Sequence, residues 1–182
     1  MLKLIIFLVV SGYLYYISRA SLQKRLSHGF FRFFAFEFLL LLILINLKHW
    51  FHNPFSLAHS ISWLLLFIAL FLAIHGFRML RVIGRPRGKI EDSANFAFEN
   101  TTRLVMVGAY KYIRHPLYSS LFILTWGVFL KNPSFLGLVL ALLTSFFLVA
   151  TAKVEEGENV STFGLPYLDY MHRTKMFIPF IF

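Results

Sequence analysis

The chain has 182 residues, enough for one compact domain; 58% are hydrophobic, 19% aromatic and only 14% charged, with 23 Phe. Soluble globular chains are about half apolar and roughly a quarter charged, so composition places this one among integral membrane proteins. It has no Cys and a net charge of +10: disulfides, thiolate metal sites and cysteine nucleophiles are excluded, and the excess of Lys and Arg reads as membrane topology and contact with anionic headgroups, with no nucleic-acid partner.

Residues 4–17 are apolar apart from Ser11, Gly12 and three tyrosines. With its flanks the stretch is long enough to cross a bilayer, which takes about 20 residues. Ser18-Arg19-Ala20 is a small-x-small triplet of the kind that ends a signal peptide. Yet only Lys3 precedes the stretch, while Arg19, Lys24 and Arg25 follow it. That bias predicts a retained helix with its N-terminus outside.

Residues 30–47 form a second apolar block, interrupted by Arg32, Glu37 and Asn46. Arg32 is close enough to the end to snorkel to the interface. Glu37 lies deeper, where a carboxylate costs about 2.5–3.5 kcal/mol at a helix centre. It is expected to face the bundle interior or a polar cavity, as a structural or interfacial group in preference to a substrate-facing one. His49 and His52, with His59 further on, invite a metal reading. Asn53-Pro54 ends the helix that would align them, and no carboxylate accompanies them. An interfacial cluster with Trp50 and Trp63 is expected instead, and no metal. Residues 57–74 are the third apolar block.

From 75 to 102 the chain turns basic, with Arg78, Arg81, Arg85, Arg87 and Lys89, and then Glu91, Asp92 and Glu99. Part of this reads as a solvated loop against headgroups. Its length predicts a cap or lid of short interfacial helices. Residues 117–130 form a fourth, short block, buried in the bundle or slightly re-entrant. Lys131-Asn132-Pro133-Ser134 makes a tight turn into a fifth block at 135–152. A four-residue connection forces these last two helices to be antiparallel and adjacent. It therefore brings Arg114-His115-Pro116 beside Glu155-Glu156. With five spans, Lys3, Lys48 and Lys131 fall on one side and the other fifteen Lys and Arg on the opposite side. The positive-inside rule then places the C-terminus and both of these clusters in the cytoplasm.

Residues 108–118, GAYKYIRHPLY, hold the densest chemistry. Pro116 fits the first turn of a helix, where its missing N–H costs nothing. The helix N-terminus offers free N–H groups and a positive dipole end. Arg114 can grip a carboxylate or phosphate bidentately. Tyr110 and Tyr118 offer aromatic faces to a cation or an adenine. Glu155 and Glu156 supply acceptors for an ammonium. S-adenosylmethionine unites a carboxylate, an ammonium, a sulfonium and an adenine, and would satisfy all of these. A lipid headgroup or an internal salt bridge would suit the same groups, and each residue alone has an ordinary reading: His115 as a cap, Arg114 as a headgroup anchor, Glu155-Glu156 as a solvated helix end.

Leu104-Val105, Gly108, Tyr110, Arg114-His115-Pro116 and Tyr118, followed by Glu155-Glu156, Phe163-Gly164, Tyr167, Tyr170, Arg173 and Pro179, resemble the two motifs of the membrane methyltransferases related to isoprenylcysteine carboxyl methyltransferase and phospholipid N-methyltransferase. The resemblance runs from 104 to 179; the chain before it shares only hydropathy. It implies S-adenosylmethionine-dependent methyl transfer to a lipidic or prenylated acceptor, either carboxyl O-methylation or phospholipid N-methylation. It implies that Gly108, Tyr110, His115, Pro116 and Tyr118 hold the cofactor. Glu155 or Glu156 would take its amino group, and Arg114 its carboxylate or the local acidic pair. Glu156 and Arg173 are the expected catalytic residues, with Arg173 beside the acceptor. The chain departs from the family at Met171-His172, where basic residues are frequent. It departs also at Gly157 and Asn159, poor helix formers expected to fray the fifth helix early.

The expected architecture is an all-α polytopic membrane helical bundle of about five transmembrane helices, with a C-terminal helical hairpin and a cytoplasmic cofactor site. Residues 1–75 carry three N-terminal transmembrane helices. Residues 76–116 form the cytoplasmic loop or lid leading into the cofactor motif, and 117–182 the hairpin and C-terminal catalytic segment. The expected partners are a lipidic methyl acceptor and membrane lipids. The rival reading is a non-enzymatic small transporter or scaffold. Ionisable residues are nearly absent from the span interiors and no internal repeat is visible, both of which count against a transporter.

Overall fold

In the computed structural model the described residues are 1–87, 96 and 99–182. The part of the expected lid at 88–95, 97 and 98 lies outside them. Six α-helices follow one another: α1 Leu2–Gln23, α2 His28–Asn46, α3 Leu57–Met79, α4 Pro116–Phe129, α5 Phe135–Phe163 and α6 Leu165–Arg173. A short 3-10 turn, Leu47–His49, extends α2, a π turn, Leu80–Gly84, extends α3, and a second 3-10 turn covers Gly108–Lys111. Among the described residues the β-type pairing is one isolated parallel bridge, Ile113 with Lys175. The protein is thus an all-α polytopic membrane bundle. α1, α2, α3 and α5 are long and apolar enough to cross a membrane, whereas α4 is shorter.

Serines start three of these helices. Ser27 accepts from the Phe30 N–H at 3.2 Å, Ser56 from His59 N–H at 3.3 Å and Ser134 from Gly137 N–H at 3.1 Å. Each satisfies an otherwise orphaned first-turn donor, a contribution of about 1 kcal/mol. α2 packs on α5, α3 on α4, α1 on α2, and α4 on α5. Lipid tails are as apolar as leucine, so close packing and hydrogen bonds hold such a bundle rather than burial from water. Ala35 of α2 and Leu148 and Ala152 of α5 are buried around Tyr118, Met176 and Phe177. Phe34 and Phe38 lie 5.3 and 5.5 Å from Phe147 across the α2–α5 seam. Gly76 lets α3 and α4 touch, since a Cβ there would stand 3.2 Å from Leu117.

α4 stops inside the bundle because other helices serve its last carbonyls. Ser62 of α3 donates to Gly127 O at 2.6 Å, and Asn46 of α2 donates to Val128 O at 3.1 Å. Lys131 follows, buried, with its ammonium 3.6 Å from the centre of the Trp63 ring. His59 spends both ring nitrogens on Ser56 Oγ and His49 O. Glu37 takes a structural hydrogen bond, with Ser11 Oγ 2.9 Å from its carboxylate oxygens.

Two expectations are corrected. Arg32 does not snorkel: it is buried and clamps Glu99 at 2.5 and 2.7 Å, with its guanidinium 3.8 Å over Phe96. The fifth helix does not fray at Gly157 and Asn159 but runs on to Phe163 and ends at Gly164, φ +63°. Gly157 has open space where a Cβ would be, and its propensity cost of about 1 kcal/mol is offset by tertiary bonds from the turns around it, Glu156 with Arg114 and Glu158 with His28.

Candidate functional site

The 3-10 turn at Gly108–Lys111, the start of α4, the projecting end of α5 and α6 converge on one cavity. Its closed part holds about 80 Å³, and the empty space reaches about 620 Å³ when the mouth open to solvent is counted. Tyr110, Arg114, His115 and Tyr118 line one side, and Glu155, Asn159 and Phe163 line another along α5. Tyr167 and Tyr170 of α6 close a third side.

The 3-10 turn is fixed by a histidine that the sequence reading passed over. Gly108 has φ +62°, and a Cβ there would lie 2.4 Å from His75 Nε2. That close approach lets the Ala109 N–H donate to His75 Nε2 at 3.2 Å. Gly108 therefore shapes the wall without lining the cavity. Downstream, the tail zips onto the motif. Arg114 N–H donates to Lys175 O at 2.8 Å, Lys175 N–H to Tyr112 O at 3.1 Å and His115 N–H to Met176 O at 3.2 Å. The His115 N–H is thus spent and not free for a ligand. Pro116, buried, occupies the first helical position as expected.

Arg114 reaches Glu156 with Nε at 2.6 Å and the Met171 carbonyl with Nη1 at 3.1 Å, and Nη1 also donates to the Thr174 carbonyl. Of the acidic pair, Arg114 meets Glu156. Glu156 is buried and absent from the cavity wall. The carboxylate that faces the cavity is Glu155, which accepts from Tyr118 Oη at 2.5 Å. His115 stacks on Tyr118, ring centres 5.6 Å apart. It lies between the two glutamates, Nδ1 3.7 Å from Glu155 and Nε2 3.5 Å from Glu156. Nε2 has no partner in hydrogen-bonding geometry, an orphaned buried polar atom in the wall.

Tyr170 donates to Tyr110 O at 2.6 Å, tying α6 to the motif. Burial pushes the phenols of Tyr110, Tyr167 and Tyr170 above their ordinary range, so all three stay neutral donors. Arg173 is exposed and stands outside this cavity, over a separate surface depression with Lys111 and Asp169.

A second carboxylate in the wall, Glu99, was read only as part of a loop. It belongs to a charged network with Arg32 and His28 at the start of α2. Burial alone would raise its carboxyl, but the Arg32 charge, His28 and the Phe96 N–H outweigh burial and hold it below the ordinary glutamate range. No local pattern announces Glu99. Asn159 was missed as a site residue and Phe163 was read only as part of a motif; their four-residue spacing from Glu155, which puts all three on one helical face, is the signal that could have found them. Among the described residues no group of three or more His, Asp or Glu could hold a metal ion.

The cavity suits a compact zwitterion carrying an aromatic ring. Its lining includes two carboxylates, an arginine, an imidazole and four tyrosines. Residues 57–164, more than half of the chain, match the family model described as phospholipid methyltransferase. The chain is similar to a methanethiol S-methyltransferase of Crocosphaera subtropica (strain ATCC 51142 / BH68), 33% identical over 72 residues. That similarity covers 40% of this chain and 28% of the relative, so the chain spans well under a third of the curated protein it matches. No solved structure matches the chain.

Proposed function

The chain belongs to the phospholipid methyltransferase family, and from that premise we propose that it transfers a methyl group from S-adenosylmethionine to an acceptor at the membrane. The observation that carries this reading is the convergence of Tyr110, Arg114, His115, Tyr118 and Glu155 on one cavity. When bound, the cofactor supplies an already activated methyl group on a sulfonium. The protein is left with proximity, orientation and exclusion of water.

Glu155 is the acceptor for the cofactor's ammonium, and Tyr118 aims it through the 2.5 Å hydrogen bond. His115 lines the wall, with Nδ1 towards Glu155 and Nε2 turned to Glu156 behind it. Tyr110, Tyr167 and Tyr170 supply apolar faces and keep the site dry. Arg114 and Glu156 brace the wall from behind: their pair locks the motif to α5, and the carbonyl bonds of Arg114 lock it to the tail. The steep Lys and Arg asymmetry supports a cytoplasmic opening with the N-terminus outside.

The acceptor we favour is lipidic, a phospholipid amine or a prenylcysteine carboxylate, reaching the cavity from the bilayer between helices. A small thiol is the second reading, favoured by the similarity to a methanethiol S-methyltransferase. Titration of the detergent-solubilised protein with S-adenosylmethionine, followed by calorimetry, tests the core of the proposal. Saturable one-site binding is expected. Its absence would leave a non-enzymatic membrane protein as the better account.

A further inference from the structure

Arg173 stands outside the cavity, and the proposed function leaves it without a task. It shares an open depression of about 440 Å³ with Lys153, His172 and Lys175. These four basic side chains are exposed, whereas Thr174 and Met176, which also line the depression, are buried. Arg114 lines both this depression and the cofactor cavity, and so stands between the two.

The charge of the depression is one-sided. No Asp or Glu lines it. Glu156 answers Arg114 at 2.6 Å, but among the described residues no ion pair joins Lys153, Arg173 or Lys175 to a carboxylate. Asp169 lies in the adjoining depression with Arg173 and Lys111 and pairs with neither. Three cations gathered around one hollow repel one another and favour an anion. The depression also has an apolar edge. Ile181 and Phe182 line it, and with Phe180 they are 76%, 45% and 82% exposed. Lys153 follows directly on the apolar run of α5 that ends at Ala152, so the hollow lies where that helix leaves the hydrocarbon. Exposed lysines are ordinarily a solvated face. A concave basic patch with an apolar edge at the membrane boundary fits an interfacial lipid instead. A soluble anion would use the cations and leave Phe180, Ile181 and Phe182 in water.

We propose that this depression holds the headgroup of an anionic phospholipid from the leaflet at the cofactor end, with its phosphate among Lys153, Arg173 and Lys175 and its acyl chains against Ile181 and Phe182. This is a resident lipid and not the methyl acceptor, because the Arg114–Glu156 pair separates it from the cavity. The segment it touches also holds the cofactor motif: Lys175 O and Met176 O accept the Arg114 and His115 N–H groups at 2.8 and 3.2 Å. A phosphate that joins α5 to this tail steadies both bonds, and binding to the folded chain alone stabilises it by mass action.

The test uses the full chain, delipidated in a non-ionic detergent, with native mass spectrometry as the readout and no methyl donor present. The probes are phosphatidylglycerol, phosphatidylcholine and inorganic phosphate. The wild type should retain one phosphatidylglycerol at concentrations where phosphatidylcholine, which has a phosphate but no net charge, and inorganic phosphate leave it bare. Lys153→Gln/Lys175→Gln should weaken phosphatidylglycerol binding about tenfold or more, and Arg173→Gln alone several-fold. Lys24→Gln/Arg25→Gln removes as much charge from the exposed turn between α1 and α2, and should stay within about twofold of the wild type, because charges so far apart are screened from each other. Phosphatidylglycerol should also raise the melting midpoint of the wild type and not that of Lys153→Gln/Lys175→Gln. Arg173→Gln keeps the test open if the double variant folds poorly. The proposal is overturned by equal retention of phosphatidylcholine, by an equal loss of binding in Lys24→Gln/Arg25→Gln, by full binding in both depression variants, or by a melting midpoint that phosphatidylglycerol leaves unmoved. Inorganic phosphate bound as tightly as the lipid also overturns it, by making the depression a site for a free anion.

Discussion

Glu155 and Glu156 are neighbours in sequence with opposite environments, and truncating each to alanine should separate their roles. Glu156 and Arg114 side chains are 9% and 10% exposed and meet at 2.6 Å. Glu156→Ala leaves the Arg114 guanidinium facing only the carbonyls of Met171 and Thr174 and a distant imidazole. Breaking a buried pair from one side costs about 3–5 kcal/mol; with a tenth of each side chain still wet, about 3 kcal/mol is the expected loss. The thermal midpoint in detergent should fall by several degrees. The double variant Arg114→Met/Glu156→Met should lose less than its single variants combined, because the stranded charge is gone. Glu155 is 24% exposed and gives up one hydrogen bond, about 0.5–1.5 kcal/mol. Its removal should barely move the melting point, but should raise the S-adenosylmethionine Kd about tenfold or more, since a charge-assisted bond to an ammonium contributes about 1.5–3 kcal/mol. Differential scanning fluorimetry and calorimetric titration on the two variants suffice. A Glu156→Ala protein that melts like wild type, or a Glu155→Ala protein that binds the cofactor normally, refutes this division of labour.

Gly108→Ala should destabilise the protein by about 1–3 kcal/mol, from left-handed backbone strain and the clash with His75; adding His75→Ala should recover part of that loss in the same melting assay. Tyr118→Phe should leave the fold intact and weaken cofactor binding several-fold, because Glu155 loses the donor that aims it. Glu99 supplies a pH prediction. Its folded carboxyl lies below the ordinary glutamate value of 4.5, so its contribution is complete above that value and is lost as pH falls below it towards the folded value. Acid unfolding curves should therefore flatten as pH falls below 4.5 in Glu99→Gln, and an unchanged curve would contradict the Arg32–Glu99 geometry.

Helix type and order were legible because a bilayer demands apolar blocks of one length, and a four-residue turn fixes what its two helices can touch. That turn alone placed Arg114 beside Glu156. The extent of α5 was not legible. Gly157 and Asn159 argue locally for fraying, while the bonds that hold them helical come from His28 and Arg114, 130 and 42 residues away from their partners. Arg32 misled for the same reason, since its carboxylate lies 67 residues on. The tail pairing with 112–115 left no pattern either, because it uses backbone groups that every sequence possesses. Arg173 was assigned by its place in a motif, and motif order carries no information about which face of α6 it occupies.

The site exists because the two helices of the hairpin differ in length. At about 1.5 Å per residue, the 14 residues of α4 rise about 21 Å and the 29 of α5 about 44 Å. Both leave the same turn, so α5 outruns the start of α4 by about 20 Å. Glu155 stands 20 residues from the start of α5, about 30 Å along it and so about 9 Å past the level of Pro116. At that level the chain entering α4 is no longer helix but the Gly108–Lys111 turn and the extended residues up to His115, with spare width on every side. α5 alone would leave a flat wall there. The turn held by His75, the α6 helix held by Tyr170 and the loop held through Glu99 supply the other three. Each is anchored by a polar bond to a different helix or turn, so the cavity's shape depends on the positions of α2, α3 and α5 together. Lengthening α4 at its N-terminal end would fill the cavity, and shortening α5 before Asn159 would open it. That is why a helix containing Gly157 is worth keeping straight through it.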